Sequence, residues 1–164
     1  MRRVLYVGLL ILFFVLVMRF AMNEGVNEVV ETYPNVSIER GRTIMPFEFK
    51  VIKDFPFPID NEYMRIEISP NIAEAGIYYF KEQDVLNTPL LKLVISDNRR
   101  LLPEHGDMYV VDGMKFYYYE YRGETQNISW LDGEIVYAII YFHNNIEEKL
   151  SIDDFTLMLR SMYE

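Results

Sequence analysis

The chain opens on fifteen positions, Val4 to Met18, without a charge or a polar face. Met1-Arg2-Arg3 precede this run, and Arg19 and Phe20-Ala21-Met22 close it. Such a segment is not a solvated one, because each exposed apolar side chain would forgo about 1.5–3 kcal/mol of burial. Two readings fit residues 1–22: an uncleaved transmembrane anchor or a signal peptide. Nineteen positions separate Val4 from Met22 inclusively, close to a full span, and the basic start favours a cytoplasmic N-terminus. Either way the rest of the chain is expected outside the cytoplasm, with the membrane as a partner through residues 4–22.

Residues 23–45 are acidic and weakly patterned and read as a tether, with a helical continuation to Glu31 that ends before Pro34. From residue 46 the period changes to two. Phe47, Phe49 and Val51 alternate with Glu48, Lys50 and Ile52, a strand pattern that Phe55-Pro56-Phe57-Pro58 breaks. Further strand signals cover 63–68, 76–81, 90–96, 108–111, 114–121, 127–131 and 134–143. Asp112-Gly113 and Asp132-Gly133 mark tight hairpins between the last two pairs. The spacing, with no helical period between strands, predicts a twisted, mainly antiparallel sheet of about seven strands. At the end the period becomes helical: Ser151 caps, and Ile152, Phe155, Met158, Leu159 and Met162 form one stripe. The fold expected is α+β: an N-terminal transmembrane helix, then one extracytoplasmic domain over 46–164 whose sheet packs on a C-terminal helix.

Both faces of the central strands carry apolar residues. Tyr117, Tyr119 and Tyr121 point one way, and Phe116, Tyr118, Glu120 and Arg122 the other. The two charges suggest that the Phe116/Tyr118 face sees water. Phe116, Tyr118 and Trp130 are therefore the candidate ligand-binding residues, an aromatic floor for an apolar or peptide ligand, set against the plainer reading that they are core.

Composition narrows the chemistry. The formal charge is −9, and three of the 16 basic residues lie in the leader, so 13 basic and 25 acidic residues give −12 beyond it. That balance argues against nucleic acid. With no cysteine there is no disulfide, thiolate metal site or thiol nucleophile, which suits a bacterial envelope. His105, beside Glu104 and Asp107, and His143 have no partners at metal-ligand spacing. Neither a nucleophile elbow nor a phosphate-cradling glycine loop occurs. No catalytic residue, metal or cofactor is expected, and the chain is read as a non-enzymatic binding or sensory/regulatory module. Another envelope protein is its expected partner. The alternative is a carrier for a lipid or other apolar ligand on the aromatic sheet face.

Trp130, Gly133 and Tyr137 on the second hairpin, then Ser151 opening a helix with Leu159-Arg160-Ser161-Met162, form a recognisable series. The stretch from Phe55-Pro56 to Tyr63 precedes it as a Pro-rich entry. Over residues 55–162 this resembles uncharacterised Firmicute membrane-anchored surface domains, similar in look to anti-sigma-factor sensor and lipoprotein-carrier-like domains. The resemblance implies a sheet-plus-helix fold behind a membrane segment and carries no catalytic residues. Only three residues precede the apolar run, so no cytoplasmic sigma-binding region is expected here.

Overall fold

The computed structural model describes residues 30–81, 89–103, 105–143 and 149–164. The leader and the start of the tether lie outside these residues. Among the described residues, no helix is long and apolar enough to cross a membrane.

Eight strands form one antiparallel sheet: β1 (Glu31–Val36), β2 (Asn61–Ser69), β3 (Ile72–Phe80), β4 (Leu91–Ser96), β5 (Asp107–Val111), β6 (Met114–Tyr121), β7 (Thr125–Asp132) and β8 (Ile135–Phe142). Their order is β1-β2-β3-β4-β8-β7-β6-β5. The sheet is thus two four-strand meanders joined through the β4–β8 pair. Two α-helices, α1 (Ile38–Ile44) and α2 (Ile152–Ser161), and a short 3-10 helix (Arg99–Leu101) complete the described fold. The expected α+β class with an antiparallel sheet and a C-terminal helix is what forms.

Tight turns set the register of the C-terminal meander. Asp112 and Gly113 both take positive φ (52° and 82°), the backbone that a two-residue turn between β5 and β6 requires. At the second Asp-Gly pair the turn sits one residue later than expected: β7 runs through Asp132, which pairs with Ile135, and only Gly133 is left-handed. Arg122 and Gly123 make the β6–β7 turn, with Glu124 N donating to Tyr121 O at 3.0 Å.

One row of side chains crosses all eight strands in register: Tyr33, Ile66, Ala75, Ile95, Tyr137, Trp130, Phe116 and Tyr109. The next runs through Met64, Ile77, Leu93, Ile139, Ile128 and Tyr118. These rows form the inner face, buried with Phe155, Met158, Leu159 and Met162 of α2 and its C-cap. Ser151 caps α2 in a reciprocal box, its hydroxyl accepting from Asp154 N and its own N–H donating to the Asp154 carboxylate. At ten residues the helix is too short to be stable alone, so this buried stripe is what holds it.

Three expectations on the N-terminal side are corrected. Part of the tether folds: Glu31–Val36 is an edge strand where a weakly patterned tether was expected, and Pro34 is tolerated there because an edge leaves one row of donors unpaired. Residues 37–44 turn back as α1, whose Gly41 lies so close to β2 that a Cβ would clash with Met64 Sδ. Third, 47–52 forms no strand. It begins an irregular strap over the inner face, burying Phe49 and Ile52, and its donors go to side chains: Lys50 N to Tyr137 Oη (3.1 Å) and Lys53 N to Ser161 Oγ (3.1 Å). Farther along, Phe55 packs on Tyr79 (centroids 4.8 Å) and Phe57 on Tyr141 (5.9 Å).

Candidate functional site

Phe116 and Trp130 are fully buried under α2, and Tyr118 is partly buried with its ring edge-on to Phe155 at 6.2 Å. The three candidate residues share one face, as alternation requires, but that face is the filled one. The expectation that it sees water is corrected. Glu120 lies at the strand's end, where Lys149 holds it (2.7 Å) and the Tyr118 hydroxyl donates to it (2.8 Å). Two charges at a strand end therefore say nothing about the middle of that strand.

The polar cluster beside this core joins three separate parts of the chain. The Trp130 indole N–H donates to the Tyr163 hydroxyl (3.0 Å), and that hydroxyl donates to Asp132 Oδ2 (3.0 Å). Lys50 Nζ donates to the same Oδ2 (2.5 Å) and stands 3.7 Å from the Tyr163 ring centroid. Trp130 stacks on Tyr137 at 5.3 Å. Arg42 bonds Phe49 O (2.7 Å) and lies over the Phe49 ring. A cleft of about 570 Å³ opens between Arg42, Glu48, Lys50, Asp132, Ile135 and Tyr137. Sequence reading reached Trp130 and Tyr137 through their apolar and aromatic character. It reached Asp132 only as a turn residue, Lys50 only as a polar alternate of the 47–52 pattern, and Arg42 and Tyr163 not at all, since no local spacing connects residues so far apart.

Burial opposes the charge on Asp132, yet hydrogen bonds from Lys50 and Tyr163 and the Lys50 charge outweigh it and hold the carboxyl below its ordinary range. The Tyr163 hydroxyl is pushed up, first by burial and then by Asp132. A carboxyl depressed in the folded state contributes stability above its unfolded value, about 3.9, and loses it as pH falls through the folded value. Asp132→Asn should therefore flatten the acid limb of the stability–pH curve below about pH 4. Melting temperatures of both proteins between pH 2 and 6 measure this, and parallel curves would refute it. Arg42, Lys50, Glu48 and Asp132 supply two charges of each sign, and among the described residues lining the cleft no nucleophile–base pair is assembled. Among the described residues, no group of three His, Asp or Glu side chains is placed to hold a metal ion.

The outer face is different. Its rows include Arg65, Gly76, Val94, Ala138, Ser129, Tyr117 and Met108, and Tyr63, Tyr78, Lys92, Ile140, Asn127 and Tyr119. On the β1–β4 side it is charged, with Arg65 paired to Glu67 (2.6 Å) beside Glu74 and Lys92. Burial raises the Glu74 carboxyl despite Lys92 nearby. On the β5–β8 side Met108, Val110, Tyr121 and Leu131 are exposed and Tyr117 and Tyr119 half-buried. The alternating tyrosines read from the sequence are thus the ones that reach solvent. No protein-family model, curated protein or solved structure matches this chain.

Proposed function

We propose that this chain is a non-enzymatic binding or sensory module, tethered outside the cytoplasm by its apolar leader, that recognises another envelope protein through the outer face of β5–β8. The observation that carries this reading is the contrast between the two faces. The inner face is filled by the chain's own helix and strap, while the outer face, buried along β7–β8 at Asn127, Ser129, Val136 and Ala138, exposes Met108, Val110, Tyr121 and Leu131. Exposed apolar surface marks contact sites, and Tyr and Met are enriched in them. The leader and the absence of cysteine support the envelope setting.

The carrier alternative loses support because α2 occupies the Phe116/Tyr118/Trp130 face where the ligand was expected. Native mass spectrometry of the detergent-extracted full chain separates the two readings. A bound envelope protein that is lost from Tyr121→Asp/Leu131→Asp, with the melt unchanged, supports the module. Stoichiometric lipid without a protein partner would overturn it, as would finding the chain in the cytosol free of membrane.

A further inference from the structure

The two edges of the sheet are built differently. β1 carries Pro34, which lacks a donor, an exposed acid at Glu31, and a register break between Tyr33 and Val36 with Asn35 at φ 55°. Proline, charge and irregularity are the devices that stop an edge from pairing. β5 has no proline and no bulge: all five residues pair with β6 in unbroken register. Its outward side chains, Met108 and Val110, are 57% and 58% exposed.

The turn fixes which backbone groups of β5 are free. A two-residue turn makes its flanking pair, Val111 and Met114, exchange both hydrogen bonds. By alternation Tyr109 and Asp107 also bond to β6, while the N–H and C=O of Met108 and Val110 point away from the sheet. This arrangement is its own complement. Turned about a two-fold axis at Tyr109, β5 meets a second β5 antiparallel, Met108 opposite Val110 of the other copy and Tyr109 opposite Tyr109. The four outward groups of each strand then find partners, and Tyr109 falls in the non-hydrogen-bonded position.

We propose that β5 is the site at which two copies of this chain pair edge to edge, antiparallel about Tyr109. The self-complementary register favours a second copy, and the local charge pattern permits it. The outward positions of β5 are uncharged in a chain of net charge −9, so two acidic molecules can approach there. On the inner side, Asp107 of one copy comes beside Val111 of the other, next to Asp112, which Arg160 holds at 2.6 Å. That carboxylate arrives beside the Asp112–Arg160 pair, in which Asp112 already takes two of the guanidinium's hydrogen bonds. Met108, Val110 and the flanking Tyr117 make one apolar strip continuous across the pair. A five-residue edge is smaller than a standard interface of roughly 800 Å² per partner, so the dimer is weak and is best read by trapping. The inference does not depend on what the outer face binds.

The cysteine-free chain makes the trap specific. Cα atoms opposite each other at a non-hydrogen-bonded position lie about 4.5 Å apart, within disulfide range. Tyr109→Cys in the full chain, kept in detergent micelles and treated with a mild oxidant, should give a disulfide dimer. Thr32→Cys on the blunted edge should remain monomeric. Adding Val110→Pro, which removes an outward N–H from each copy, should lower the dimer yield at least about tenfold. If Tyr109→Cys melts early, Met108→Cys/Val110→Cys places the same trap on the exposed pair. No dimer from folded protein, an equal dimer from Thr32→Cys, or a yield indifferent to Val110→Pro would each overturn the proposal.

Discussion

Truncating Phe155 to alanine should lower the unfolding free energy by about 3–5 kcal/mol, a large share of the roughly 5–15 kcal/mol a domain has. The ring is fully buried and is the largest buried side chain that α2 contributes to the core. It meets Tyr118 edge-on at 6.2 Å, and the neighbouring stripe residues Met158 and Leu159 are equally buried. The helix cannot easily collapse into the vacated space. Its start is pinned by the Ser151–Asp154 box, and its end by Ser161, whose hydroxyl accepts from Lys53 N. Phe155→Leu keeps most of the volume and should recover most of the loss. Urea unfolding followed by circular dichroism measures both. An unchanged midpoint for Phe155→Ala would mean that the helix does not dock, and the filled inner face would go with it.

The strands were legible wherever one-sided burial and tight turns coincide. From Tyr63 to Phe142 the period of two and the Asp-Gly signals place seven strands, because these strands have a sheet neighbour on both sides or, at the β5 edge, a tight turn into the next strand. β1 was hidden because Pro34 reads as a stop, and only an edge relieves it of that meaning. The 47–52 segment shows the converse. Phe49 and Ile52 are both buried although alternation sets them on opposite sides, so burial there does not follow a period of two and does not make a strand. Lys50 N, and Lys53 N just past the segment, donate to Tyr137 and Ser161 rather than to a neighbouring backbone, and a distant hydroxyl leaves no mark in a local pattern. The faces were harder still. Alternation fixes which side chains share a face but not which face the helix covers, and Glu120 pointed the wrong way because a strand end reaches water from either side. The polar cluster was the least legible part, since Lys50, Asp132 and Tyr163 meet only after strap, sheet and C-terminus are in place.

That cluster makes the second large prediction. Trp130→Ala should destabilise by about 3–5 kcal/mol, as emptying a fully buried indole site does. Trp130→Phe separates the packing from the hydrogen bond. It keeps a ring to stack on Tyr137, now 5.3 Å away, but removes the N–H that bonds Tyr163 Oη at 3.0 Å, at a cost of about 1–2 kcal/mol. The effect reaches further than one bond. The Tyr163 hydroxyl also donates to Asp132, and the Tyr163 ring lies beneath the Lys50 ammonium, so the indole helps hold the C-terminus and strap on the sheet. Tyr163→Phe removes the same acceptor from the other side. In a double-mutant cycle the two substitutions should therefore cost less together than separately, by about 1 kcal/mol. Circular dichroism must report the unfolding, because Trp130 is the chain's single tryptophan. Strict additivity would show that strap and C-terminus are held by burial alone, and that the polar chain from Trp130 to Lys50 is incidental to it.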